Sequence, residues 1–129
     1  HAGLWDSPTA VGEGTRVEYG NPFDVMGYSG SFPAGHFSAN FKYQLGWLSA
    51  ANIDTSSGEG RFRIYAMDSG TPLSADRRYA LRIRRGIPVL DLSLDYWVDY
   101  RLALAANGLG SDGAIVQWGL MKVRETPVF

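Results

Sequence analysis

The chain has 129 residues, 45% of them hydrophobic, and a formal net charge of -1. That suffices for one ordinary core, or one core with a small attached subdomain, and the near-zero charge argues against nucleic acid or an anionic lipid surface as a partner. Cysteine is absent, which excludes disulfides and thiolate chemistry, and the only histidines, His1 and His36, would have to combine with carboxylates in any zinc site formed wholly within the chain.

No apolar run approaches the roughly 20 residues of a membrane-spanning helix. The opening His1-Ala2-Gly3-Leu4-Trp5-Asp6 has neither a basic region nor an apolar block, so no signal peptide is expected. With no initiator methionine, the chain reads as a processed product or a piece of something longer.

Residues 1–35 are rich in glycine and proline and predict an irregular loop region rather than a long helix or a clean strand. Trp5, Tyr19, Phe23, Tyr28 and Phe32 argue for a packed functional loop over a disordered one. Within it, residues 18–27 form a punctuated turn whose methionine, Met26, is expected to be buried among apolar neighbours.

Over residues 37–48 the pattern changes. Phe37, Phe41, Leu45 and Leu48 fall at i, i+4, i+8 and i+11, one face of a helix. Ser38 is the expected cap and Gly46 the expected terminator.

From Asn52 onward the period is two. Strands are predicted at 53–55, at 61–67 with Phe62, Ile64 and Ala66 on one face, and at 78–84 with Tyr79, Leu81 and Ile83 together. The longest alternation puts Leu90, Leu92, Leu94, Tyr96, Val98, Tyr100 and Leu102 on one side. Asp91, Ser93, Asp95, Trp97, Asp99 and Arg101 take the other. It is one long strand or two joined by a bend near Asp95. Residues 114–118 form a short apolar strand and 120–123 another. The expected fold is mainly β with one short helix, its strands a small antiparallel sandwich-like module.

Little chemistry follows from composition alone. Asp91, Asp95 and Asp99 could be a calcium row, but residues four apart on a strand lie on the order of 13 Å from each other, so a solvated outer face is the stronger reading. Arg77, Arg78, Arg82, Arg84 and Arg85 could meet an anion, but read better as an outer strand face neutralised by that acidic row. No Ser-His-Asp or Cys-His order is present, and Gly12-Glu13-Gly14 and Gly58-Glu59-Gly60 lack the strand-to-helix setting of a phosphate loop.

More specific is the combination of His1-Ala2, Glu18-Tyr19-Gly20-Asn21-Pro22-Phe23-Asp24-Val25-Met26-Gly27, and Gly35-His36-Phe37-Ser38-Ala39-Asn40-Phe41-Lys42-Tyr43-Gln44-Leu45-Gly46-Trp47-Leu48. It resembles the gametolysin-like zinc metallopeptidases of the metzincin clan. There HExxHxxGxxH precedes a Met-turn of the form E-Y-G-D-P-F-D-V-M-G, and G-H-F-x-A-x-x-K-x-x-L-G-W-L follows. Tyr96-Trp97-Val98-Asp99-Tyr100-Arg101 resembles the family's later Y-Y-x-E-Y-R strand, and Gly113-Ala114-Ile115-Val116-Gln117 a G-V-x-V-x strand. Asn21 departs from the usual Asp.

The resemblance implies that residues 1–50 are a metzincin C-terminal subdomain and 51–129 an antiparallel β-module. It makes His1 the third zinc ligand and Met26 the Met-turn methionine, with His36 and Tyr28 on the substrate side. No catalytic residue lies within the chain, because the general-base Glu and two further zinc histidines would stand upstream of His1. It further implies a secreted endopeptidase acting on protein or peptide, cell-wall glycoprotein among them, and a piece that is inactive alone. From another class comes the alternative of a non-enzymatic module recognising polysaccharide or protein through Tyr65, Trp97 and Trp118.

Overall fold

A computed structural model describes residues 4–5, 14–27, 36–84, 88–89, 92–102 and 113–122. The chain divides into two compact units, residues 1–38 with 102–112 and residues 39–101 with 113–129. The fold is mainly β with one short helix.

In the first unit, the Gly/Pro-rich region holds a two-residue antiparallel pair, β1 (Leu4–Trp5) with β2 (Arg16–Val17). A run of tight turns follows over 18–27.

The second unit opens with α1 (Ala39–Gln44). This helix is shorter than the predicted stretch because Gly46 stops it. At φ +74° Gly46 takes the left-handed conformation that favours glycine. Its N–H reaches Tyr43 O at 3.1 Å, and Trp47 N–H reaches Lys42 O at 2.8 Å, which closes a Schellman motif. The expected apolar stripe is only partly realised: Leu48 is buried but Leu45 is 51% exposed. The face α1 buries is Ala39, Asn40 and Lys42. Ala39 N–H donates to Asp99 Oδ2 at 3.1 Å, so a distant strand residue satisfies the first turn.

A single 3₁₀ turn at Ala50–Asn52 leads into β3 (Ile53–Ser56), followed by β4 (Ala80–Ile83), β5 (Pro88–Val89), β6 (Leu92–Asp99) and β7 (Ile115–Lys122). These form one five-stranded sheet. β6 lies at its centre, antiparallel to β4, β5 and β7. β3 runs parallel to β4, so the sheet is mixed rather than antiparallel throughout. A parallel pair needs a long crossover, and residues 57–79 supply it.

Two strand predictions change, and the alternative left open for the longest strand is resolved. Residues 61–67 are not a strand, and Phe62 is exposed. β6 runs through Asp95 without a break. β7 is one strand rather than two, with Gly119 in its interior.

The largest correction concerns the faces of β6. Asp95, Trp97, Asp99 and the following Arg101 are each about 1% exposed, whereas Tyr96, Val98 and Tyr100 are only half-buried. The parity expected to meet water is the buried one. The register puts Ile53 and Thr55, Ala80 and Arg82, and Ile115, Gln117 and Gly119 on that same face. α1 packs against it. Gly119 permits the close approach: a Cβ there would lie 2.5 Å from Asn40 Cγ and 2.6 Å from Trp97 Cδ1. The buried core of the second unit is Ala39, Leu48, Met67, Tyr79, Ala80 and Trp97, with Tyr43 and Ile53 against it.

Asn52 fixes the long crossover. Its Oδ1 accepts from Ser49 N–H at 3.3 Å and Ser49 Oγ at 2.8 Å, and its Nδ2 donates to Ser74 O at 2.9 Å and Arg77 O at 3.1 Å. Its carbonyl accepts from Tyr79 N–H at 2.8 Å. A buried amide with every group engaged joins the start of β3 to the approach of β4.

Candidate functional site

Residues 18–27 are built from polar side chains folding back onto their own backbone. Gly20 N–H donates to Val17 O at 3.1 Å, and Tyr19 takes a left-handed φ of 57°. A Cβ on Gly20 would sit 2.8 Å from Val17 Cβ and 3.0 Å from its carbonyl oxygen, so the turn requires glycine there. Asn21 Oδ1 then accepts from Phe23 N–H at 3.0 Å. Asp24 repeats the motif, with Oδ1 accepting from Met26 N–H at 2.9 Å and its carbonyl from Gly27 N–H at 2.8 Å. These are Asx turns, in which the side-chain oxygen takes the place of a backbone carbonyl. An amide oxygen can accept this bond, so the turn at 21–23 forms with Asn as its first residue.

Met26 is 38% exposed, not buried as its apolar neighbours suggested. Consecutive turns this tight leave little local bulk to cover a side chain. His36 is half-buried in the segment before α1. His1 and Tyr28 lie outside the described residues, as does Asp91. Among the described residues, no three His, Cys, Asp or Glu side chains converge on a point that could hold a metal ion. The residues described here therefore do not make a zinc site by themselves, and the ligand role implied for His1 concerns a residue beyond them.

The second unit concentrates charge where the sequence suggested water. Arg101 Nε lies 3.0 Å from Asp99 Oδ1, and both side chains are 1% exposed. Arg82 Nε lies 2.5 Å from Asp95 Oδ2, with its guanidinium 5.9 Å from the Trp97 ring. Neutralisation of the arginines by the acidic row holds for Arg82, but inside the molecule. Each carboxylate has its own arginine, an arrangement of ion pairs rather than a shared cation site. Lys42 joins Asp99 and Arg101. Burial, reinforced by the Arg101 charge, lowers its pKa to about 8 against the opposing pull of Asp99 and Asp68.

The aromatic residues do not form one platform. Trp97 is covered and packs against Tyr43 at a centroid distance of 5.8 Å. Trp118 lies on the opposite sheet face, 5.9 Å from Tyr96. Tyr65 sits apart from both strands beneath Arg77, at 4.8 Å. Trp97 is thus removed from any sugar-stacking surface. A hollow lined by Tyr43, Ala50, Ile53, Thr55, Arg82 and Trp97 has a volume of about 40 Å³, room for a water molecule but not for a substrate. Among the described residues, no helix is long and apolar enough to cross a membrane.

Sequence reasoning missed Asp24, Asn52 and the buried Lys42–Asp99–Arg101 group. The spacing of Asp24 two residues before Met26 was the available signal for the first, since an Asx turn spans that distance. No family model matches the chain, and no curated protein or solved structure matches it.

Proposed function

We propose that this chain is the C-terminal part of a secreted zinc-dependent endopeptidase similar to the gametolysin-like metallopeptidases, hydrolysing peptide bonds with a metal-activated water. One observation carries the reading. Two stretches of the resemblance that are far apart in sequence contribute to a single buried cluster, Ala39 and Lys42 from one and Asp99 and Arg101 from the other. Ala39 N–H is bonded to Asp99, Asp99 is paired with Arg101, and Lys42 lies within electrostatic reach of both. Buried charges are costly unless they are mutually satisfied. That the motif positions A, K, E (here Asp99) and R stand together, mutually satisfied, supports the reading. Gly46, at its positive φ, adds a further motif position with a structural demand.

In this reading His1 is the third zinc ligand and Met26 the floor beneath the metal, with a soft side chain suited to packing under imidazoles. Zinc in a catalytic site takes three protein ligands and leaves one position for water. The other two histidines and the general-base glutamate stand upstream. His36 and Tyr28 line the substrate side, and the substrate is a protein or peptide, with cell-wall glycoprotein the family's example.

The test is the sequence encoded before His1, followed by metal analysis. HExxHxxGxx ending at His1 is expected, and the longer protein should retain zinc and lose most of it on His1→Ala. Absence of that motif, or zinc and activity unaltered by His1→Ala, would remove the reading. The 129-residue chain alone should hydrolyse no peptide.

A further inference from the structure

We infer that Asp24 is the positioning residue for Met26, holding the methionine's backbone in register with the residue that precedes α1. Its carboxylate is fully buried and divided between two amides: Oδ1 accepts from Met26 N–H at 2.9 Å, and Oδ2 from Ser38 N–H at 2.8 Å. The first bond is local and the second spans fourteen residues. A single planar group therefore sets the position of Met26 relative to the end of the 28–38 segment. Hydrogen bonds to an ionised acceptor are about twice as strong as neutral ones, and a buried N–H left without an acceptor costs more still. Asn21 differs in kind, because its side chain sets only the neighbouring Phe23. Met26 itself is too exposed for packing to locate it, so the polar tether is what does so. The bearing on a metal centre rests on the metallopeptidase reading, whereas the tether does not.

Residue-resolved amide hydrogen exchange on the 129-residue chain tests the tether. In Asp24→Ala, exchange at Met26 and Ser38 should accelerate by about tenfold or more, the factor expected for loss of a charge-assisted bond, while Val98 and Val116 in the sheet stay unchanged. Asp24→Asn keeps the shape and one acceptor oxygen, so it should release one of the two amides and hold the other. It also decides the matter should the alanine variant not fold. Asn21→Ala should leave Ser38 untouched. Unchanged exchange at Met26 and Ser38 in both Asp24 variants, or acceleration spread evenly over the sheet, would overturn the assignment.

In the longer protein, Asp24→Ala should also lower zinc content after dialysis. Normal zinc content beside a released Met26 amide would overturn the link to the metal. A wild-type protein that holds no zinc would overturn the metallopeptidase reading and leave the exchange result standing on its own.

Discussion

At the scale of single residues, the second unit is governed by buried charge. Lys42 has a pKa of about 8 in the folded chain, below its ordinary 10.5. Between those values the unfolded chain binds more protons than the folded one, so stability rises with pH across that window. Below pH 8 the full penalty of holding the ammonium inside is present, roughly 3 kcal/mol from the size of the shift. Lys42→Met should therefore be more stable than wild type at pH 7 by up to that amount. The advantage should shrink as pH climbs towards 10.5, as read from urea unfolding at several pH values. An advantage that stayed constant or grew would contradict the assignment. Arg101 gives the opposite sign. Arg101→Leu leaves Asp99 buried without its guanidinium and should cost about 3–5 kcal/mol. Adding Asp99→Leu should recover only part of that loss in the same denaturation measurement, because the stranded carboxylate goes but Ala39 N–H loses its acceptor and Lys42 its counter-charge.

At the scale of elements, α1 and β7 are each set by one glycine. Gly46→Ala faces open space but a φ of +74°, so only the backbone resists it. It should cost about 1 kcal/mol and leave the fold intact, as a modest fall in Tm without loss of cooperativity. Gly119→Ala has an ordinary backbone and no space, since Asn40 and Trp97 occupy the site. It should push α1 off the sheet and cost more than Gly46→Ala, with a change in Trp97 fluorescence that Gly46→Ala does not produce. Asn52→Ala removes four side-chain hydrogen bonds at the crossover and keeps the backbone bond from Tyr79 N–H; it should destabilise by about 1–3 kcal/mol, chiefly by freeing residues 74–79.

These elements also show how far the sequence can be read. The stop at Gly46, the strand at 53–55 and the long alternation of β6 were legible, because local conformation and period reveal them directly. The face of β6 was not. Period two says that two faces differ but not which is inside, and polarity misleads when carboxylates are buried with arginines of their own. Arg82 lies on a neighbouring strand, and nothing local to Asp95 announces it. The turn at 18–27 was legible as a turn. Its closure onto Ser38 was not, because a contact across fourteen residues leaves no periodic trace.

At the scale of the whole molecule, the described residues give a mixed sheet with a helix on its polar-lined face, and a separate unit that holds the turn. The proposed metal site draws on the first unit, while the cluster that supports the resemblance lies in the second. Under the metallopeptidase proposal, Arg101→Leu should therefore lower the stability of the zinc-bearing protein without lowering its zinc content per folded molecule. Zinc content per folded molecule separates the two effects.

The parallel pairing of β3 with β4 has a consequence for the order in which the chain folds. The pairing of β5 with β6 is local and can form early. β3 gains no partner until residues 57–79 have closed into a loop, and loop closure is entropically unfavourable before any contact offsets it. β3 should then be the last strand to join the sheet. Mutations at Asn52, which hold that loop shut, should fall mainly on the unfolding rate rather than on the folding rate.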